Sequence, residues 1–294
     1  MKSTTFYGEV LSIFGSMQID FYCPRWGGED VPWRRFAQRV KREGFVGVEV
    51  FPLGDKSKNT EMVDVLAGEG LAYILLHSEL HEGQDFNRYV KALERNLYDL
   101  LRYQRQDAKP QFIVSQTGRE YYSRSQMEIC FAICDRISRE SSVKIIHETH
   151  RNKWSYAAHV VKDYLTAFPG IELALDLSHW VCVSESYLED QVDAVELAIT
   201  RSSHLHARVG FPEGPQVTDP RAPENREALK HHLAWWDRWV EYRKQSGSSC
   251  TTITPEFGPY PYMPRLPSTG QPIADQWEIN CWMRRLLKAR YGEL

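Results

Sequence analysis

The sequence predicts a single (β/α)₈ barrel. Three observations carry the expectation: eight short apolar runs, an amphipathic stretch after each, and no phosphate-binding glycine loop after any of them. The runs are residues 10–14, 47–51, 72–77, 111–115, 144–147, 172–176, 204–208 and 251–255. They are rich in β-branched and aromatic residues and lack strict alternation, as expected of parallel strands buried on both faces. An open doubly wound sheet needs the same order of elements, but usually carries a glycine fingerprint that this chain lacks.

The amphipathic stretches take the intervening positions. Residues 32–43 place Trp33, Phe36 and Val40 on one face, and Pro32 suits the opening of that helix because its missing N–H costs nothing there. Residues 59–67 form a weaker pattern, whereas 86–103 repeat Tyr89, Leu93, Leu97 and Leu101 at helical spacing. Further helices are expected over 125–138, 154–168, 186–201, 225–244 and 274–290. No repeat, low-complexity tract or linker divides the chain, so residues 1–294 are expected to form one domain. That length suits a barrel, which typically takes about 250 residues.

Composition narrows the functional classes. A formal net charge of -3 offers no bulk attraction to nucleic acid or to anionic lipid. The six cysteines form no C-x-x-C pair, and Cys130 and Cys134 fall one helical turn apart as small core residues, which points to reduced thiols. Neither a signal-peptide core nor an apolar run near the 20 or so residues of a membrane span is present. A cytoplasmic, non-membrane protein is expected, with a small molecule as its partner.

The ends of the last four strands carry the chemistry. They read Ile145-Ile146-His147-Glu148-Thr149-His150, Leu173-Ala174-Leu175-Asp176-Leu177-Ser178-His179, His204-Leu205-His206-Ala207-Arg208 and Ile253-Thr254-Pro255-Glu256. A lone acid at a strand end is usually a helix cap or a surface ion-pair partner. Four such residues on consecutive strands are a different matter, because a barrel brings their C-terminal ends together. Glu148, Asp176 and Glu256 would repel one another there, and a divalent cation with His206 as fourth ligand removes the conflict. Three carboxylates and one imidazole suit Mn²⁺ foremost, then Mg²⁺ or Co²⁺, with Zn²⁺ as an alternative. Arg208 lies two residues beyond His206 on the same side of its strand, placed to hold an anionic or hydroxyl group of a substrate. His77 and His150 are candidates for the pocket wall.

With these residues in view, the chain resembles the xylose-isomerase-like barrel superfamily, and within it the sugar phosphate isomerase/epimerase group. The mechanism best known there is that of the D-tagatose 3-epimerase type. The likeness runs from Gly44-Phe45-Val46-Gly47-Val48-Glu49 to Glu256; its most specific parts are Asp176-x-x-His179, the His-x-His ending at His206, and Glu256. The resemblance implies that Glu148, Asp176, His206 and Glu256 bind one catalytic divalent metal, and that His179 reaches the substrate or a metal-bound water. It further implies that Glu148 and Glu256 exchange protons with opposite faces of a substrate carbon next to a carbonyl. The implied partner is a carbohydrate, and relatives are commonly oligomers. Two positions depart from the epimerases: Trp154 stands where they carry a glutamate, and Pro212 where they carry an arginine. These departures touch the substrate side of the resemblance and leave barrel and metal intact.

Other functions compete. A dehydratase or eliminase acting on keto-inositols or 3-keto-glycosides would keep the metal and use His150 or His179 as general base. An apurinic endonuclease needs further histidines on strands three and four, where the fourth ends Val114-Ser115-Gln116-Thr117-Gly118. A binding subunit without chemistry would not need all four candidate ligands. The longest stretches without periodicity, 23–30, 210–223 and 257–272, follow strands and are expected on the active face, with Tyr22, Trp26, Tyr260 and Tyr262 gathered there. The prolines of 210–223 suggest a shaped lid or partner surface, and Trp235, Trp236 and Trp239 are expected to pack onto the barrel.

Overall fold

Eight parallel strands close into a barrel in sequence order, each pairing with the next and β8 returning to β1. The computed structural model describes residues 17–52, 56–78, 85–102 and 104–292. The strands are β1 (Gln18–Pro24), β2 (Gly47–Val50), β3 (Ala72–Ser78), β4 (Ile113–Gln116), β5 (Ile145–Glu148), β6 (Leu173–Leu175), β7 (Ser202–His206) and β8 (Cys250–Thr254). The helices are α1 (Trp33–Arg42), α2 (Lys56–Glu69), α3 (Phe86–Leu101), α4 (Arg124–Ser141), α5 (Ala158–Ala167), α6 (Leu177–Ser184), α7 (Val192–Thr200), α8 (Arg226–Gln245) and α9 (Gln276–Tyr291). Among the described residues no helix is long and apolar enough to cross a membrane.

The period-two rule of strands sorts the core into two layers. Phe21, Val48, Val50, Tyr73, Leu75, Ile113, Ile145, Leu173, Leu175, Leu205 and Ile253 face the helices. Tyr22, Ile74, Leu76, Val114, Ile146 and Ala174 fill the barrel interior. With both faces buried, the runs read as continuous apolar stretches. Gly47 is required by this packing, because a Cβ there would stand 2.5 Å from the Tyr22 ring and 2.4 Å from the Ala72 carbonyl oxygen.

Several expectations are corrected. The run at 10–14 lies outside the described residues, and the first barrel strand is Gln18–Pro24, whose outward Phe21 and Cys23 join the main core. Tyr22 therefore fills the barrel interior instead of walling a surface pocket. The predicted helix 86–103 ends at Leu101, and Tyr103 lies outside the described residues. The helix expected from Trp154 begins at Ala158, because Ser155 Oγ donates to the Glu148 carbonyl at 2.5 Å and accepts from the His150 N–H at 3.2 Å, folding this segment back over the strand end. The stretch 186–201 resolves into α7 alone, preceded by the unforeseen α6, which Asp176 caps and which ends at Glu185 in a left-handed conformation (φ 47°). Ser123 and Gln126 form a capping box that starts α4 one residue early. Pro32 caps α1 instead of opening it. Cys130, Cys134, Trp235, Trp236 and Trp239 are buried in the core, as expected.

Candidate functional site

The two-residue periodicity that builds the interior also aims the strand-end side chains. Glu148 lies two residues past Ile146, Asp176 two past Ala174, and Glu256 two past Thr254, so each shares the inward face. His204 and His206 alternate with the outward Leu205. Glu148, Asp176, His206 and Glu256 converge, each offering an atom within 4.8 Å of the others, and all four are buried.

The polar contacts around them are directional. His206 Nε2 donates to Glu49 Oε1 at 3.0 Å, which turns Nδ1 toward Glu256 Oε2 at 3.2 Å and Glu148 Oε1 at 3.5 Å. His206 Nδ1 and Glu256 Oε2 are nonetheless buried without a hydrogen bond to any group. Gln116 Nε2 holds the other Glu148 oxygen at 2.9 Å. Asp176 Oδ1 accepts from the Ser178 N–H at 2.9 Å and its Oγ at 2.6 Å, while Oδ2 accepts from Arg208. The Thr149 hydroxyl joins the ends of β5 and β6, donating to the Asp176 carbonyl at 2.8 Å and accepting its N–H at 2.7 Å. Beyond β8, Phe257 exchanges two hydrogen bonds with the Asn280 side chain, and Gly258 exchanges two with Gln216. Glu256 is thus carried on a segment clamped from both sides.

The electrostatics follow from three carboxylates in a dry space. Burial pushes the Glu148 carboxyl up; the His206 imidazole opposes this, and Glu256 and Asp176 add to it. Burial likewise raises Asp176 against the pull of Arg208. Burial lowers His206, but Glu256 and Glu49 outweigh it and hold the imidazole well above its ordinary value. Without a divalent ion, the repulsion that Arg208 leaves unbalanced is relieved by binding protons. Two orphaned ligand atoms and surplus negative charge fit a divalent ion, and the oxygen-rich donor set suits a hard or borderline one.

The cluster opens on a cavity of about 410 Å³ lined by Trp26, Phe51, Pro52, Ser78, Gln116, Glu148, His150, Arg208, Glu256 and Tyr262. Arg208 lines it, and its guanidinium also donates to Asp176, to Ser178 Oγ at 3.1 Å and to His179 Nε2 at 2.7 Å. It is therefore a built-in counter-charge as well as a cavity wall. The guanidinium carbons of Arg208 and Arg151 lie 4.9 and 4.8 Å from the Tyr262 ring centroid. His150 lines the cavity with Nδ1 donating to the Arg151 carbonyl at 2.5 Å, and burial followed by Arg208 keeps the ring neutral. His179 sits behind it at a ring distance of 4.0 Å. Its Nδ1 has no partner, and burial with the neighbouring His150 and Arg208 pushes its pKa far down.

His77 is not brought to the cavity wall. It is buried at the end of β3 against Ser115 Oγ at 3.1 Å, and burial with the Lys153 charge lowers its pKa to about 3. Trp154 faces the helix layer, edge-on to Phe131 and to Tyr164 at 5.0 Å each, and Pro212 sits in a turn closed by Phe211 and Gly214. Neither lines the cavity. Tyr260 borders a separate cleft of about 510 Å³ on the far side of Trp26. Sequence reasoning missed Gln116, Ser178, Gln216, Asn280 and the role of Glu49. For Glu49 a signal existed: a carboxylate between Val48 and Val50 in a strand buried at every position.

No family model and no curated protein matches the chain. Solved structures do. The probable 3-DHS dehydratase AsbF of Bacillus anthracis, involved in petrobactin synthesis, superposes with a TM-score of 0.59 at 14% identity, over 92% of this chain and 99% of that one. A sugar phosphate isomerase/epimerase from Parabacteroides distasonis gives 0.57 at 10% identity, over 94% and 95%. A xylose isomerase-like TIM-barrel protein from Mycobacterium smegmatis, in complex with magnesium, gives 0.50 at 11% identity, over 82% and 91%. The likeness is one of fold: this chain shares an eight-stranded parallel barrel with them.

Proposed function

We propose that the chain is a metal-dependent enzyme that abstracts a proton next to a carbonyl of a sugar or sugar derivative, acting as an isomerase or epimerase. The observation that carries this reading is the convergence of Glu148, Asp176, His206 and Glu256 within 4.8 Å beside a cavity that two of them line. These four residues would hold one divalent ion, with Mn²⁺ the first choice for their donor set. Such an ion, once bound, supplies Lewis-acid stabilisation to negative charge developing on a carbonyl oxygen.

The protein's own groups would do the rest. Glu148 and Glu256 stand three strands apart round the ring and both face the cavity. One takes a proton from the carbon next to the carbonyl, and the other returns one from the opposite side. Gln116 fixes the Glu148 carboxylate, and the Asn280 and Gln216 clamps fix the segment after Glu256, so neither base needs to reorganise. Trp26, Phe51 and Tyr262 offer flat apolar walls to a sugar ring, while Arg208 and His150 present polar edges to its hydroxyl or carbonyl groups. Neighbours of this fold described as a sugar phosphate isomerase/epimerase and as a magnesium complex support both substrate class and cofactor.

One observation favours a second reading, metal-assisted elimination. His150 lines the cavity as a neutral imidazole whose Nδ1–H is committed to the Arg151 carbonyl, leaving Nε2 with its lone pair as a base. The fold neighbour described as a dehydratase is consistent with such a use. Metal analysis of the purified protein tests the common premise: about one tightly held divalent ion per chain is expected, and a metal-free protein indifferent to added ions would sink both readings. Incubation in D₂O with ketoses, keto-inositols and 3-keto-glycosides separates them. Deuteron uptake without loss of a group marks isomerisation or epimerisation, and release of water or aglycone, abolished in His150→Asn, marks elimination.

A further inference from the structure

Glu49 is an unusual residue for the middle of a barrel. Its neighbours Val48 and Val50 face the helices, so its side chain enters the interior, where it is 1% exposed. It comes from β2, three strands round the ring from β7, and Oε1 lies 3.0 Å from His206 Nε2 and 3.6 Å from His204 Nε2. Its other oxygen has no partner at all. Burying a carboxylate this way costs free energy that a structural role alone does not require, since an apolar residue packs there without penalty.

The chemistry of the contact sets the state of the histidine. A carboxylate can only accept, so His206 Nε2 must carry a proton, and in the neutral ring that ligation of a metal requires, Nδ1 is the nitrogen left with a lone pair. Nδ1 is the nitrogen that faces Glu148 and Glu256. Remove Glu49, and both the tautomer and the ring plane lose their anchor. Glu49, His204 and His206 also offer atoms within 4.8 Å of one another. An ion there, however, would need the Nε2 lone pair that the hydrogen bond to Glu49 excludes. His204 is already engaged, with Nδ1 2.7 Å from Thr252 Oγ1 and Nε2 3.4 Å from Thr254 Oγ1.

We propose that Glu49 is a positioning residue for the metal centre, whose carboxylate fixes the tautomer and orientation of His206 so that Nδ1 is presented to the ion. The inference rests on the metal reading of the site. Outer partners of ligating histidines typically contribute about 10–100-fold in metal affinity. The test uses the full chain, its Glu49→Ala and Glu49→Gln variants, and Co²⁺ and Zn²⁺ as probes in competition with a chelating dye, with circular dichroism confirming folding. The parent should bind one ion, Glu49→Ala should bind it about 10–100-fold more weakly, and Glu49→Gln, which keeps an acceptor oxygen, should recover part of the loss. In the Zn²⁺-loaded parent, ¹⁵N spectra of the imidazoles should show His206 protonated at Nε2. A folded Glu49→Ala variant within twofold of the parent overturns the proposal while leaving the metal reading intact. Two ions per chain, with the second lost in Glu49→Ala, would make Glu49 a ligand and overturn it too. An Nδ1-protonated His206 in the loaded parent does so without any variant, and a parent that takes up no ion removes this proposal together with the metal reading.

Discussion

Arg208→Met isolates the charge balance of the site. The guanidinium is 2% exposed and donates to Asp176, Ser178 and His179, with Glu256 Oε2 3.6 Å away. Methionine fills much of the same volume but removes the one arginine that, among the described residues, pairs with these carboxylates. Asp176 keeps its two bonds from Ser178, whereas Glu256 Oε2, already without a hydrogen bond, loses its nearby cation. Breaking a buried pair by deleting one partner costs about 3–5 kcal/mol, because a charge is left uncompensated. For a chain of this size about 2 °C of Tm accompanies each kcal/mol, so a loss of roughly 6–10 °C is expected in chelator-treated protein. A divalent ion restores positive charge at the same carboxylates, and the variant lacks the cation that competes with it. Mn²⁺ should therefore raise the Tm of Arg208→Met by more than it raises that of the parent. Calorimetric scans of both proteins with chelator and with saturating Mn²⁺ measure the difference. Equal gains from Mn²⁺ in the two proteins, or a metal-free loss below about 1 kcal/mol, would refute the assignment of Arg208 as a counter-charge to the cluster.

Three further outcomes follow from the same geometry. Glu256→Gln should reduce turnover by about 10²-fold or more while near-UV circular dichroism stays native, since a general acid/base typically contributes 10²–10⁴-fold; full activity in the variant would remove its proton-carrying role. Gly258→Ala places a Cβ 2.2 Å from the Trp26 ring, so this part of the cavity wall must shift, and steady-state kinetics should show a raised KM with kcat less affected. Asn280→Leu leaves the buried N–H and carbonyl of Phe257 without the partners they hold at 2.9 and 3.0 Å, and urea unfolding should report a loss of about 2 kcal/mol or more.

The fold was legible because barrel strands carry their own signature. Each run from residue 47 onward coincides with an observed strand to within a few residues, since burial on both faces makes the strand core apolar whatever the loops do. The first strand was misplaced for a physical reason. Gln18–Pro24 begins with the polar Gln18 and Asp20 around a half-buried Ile19 and is continuously apolar only from Phe21, so residues 10–14 present the more uniform apolar run. Helix starts failed where tertiary contacts override periodicity. Ser155 ties residues 149–157 to β5, and Asp176 spends its first turn capping α6.

The site divides along the same line. Glu148, Asp176, His206 and Glu256 are legible because one rule, two residues per repeat on the inward face, extends each strand by one more interior position, and neighbouring strands must bring those positions together. Convergence of neighbours needs only the strand order. Glu49 belongs to the other kind of contact, 157 residues from His206 in sequence and on the other side of the β8–β1 closure from it. Its inward direction follows from Val48 and Val50, but whether it meets His206 depends on the barrel's diameter and stagger, which parity does not contain. Arg208 fails in the same way. Its side of the strand was correct, yet the engagement with Asp176, Ser178 and His179 depends on α6, an element whose apolar residues gave no separate helical signal. A strand-end pattern thus identifies the atoms that can meet at the centre of a barrel, while the residues that orient them come from farther round the ring and from the loops, where only the closed structure brings them into contact.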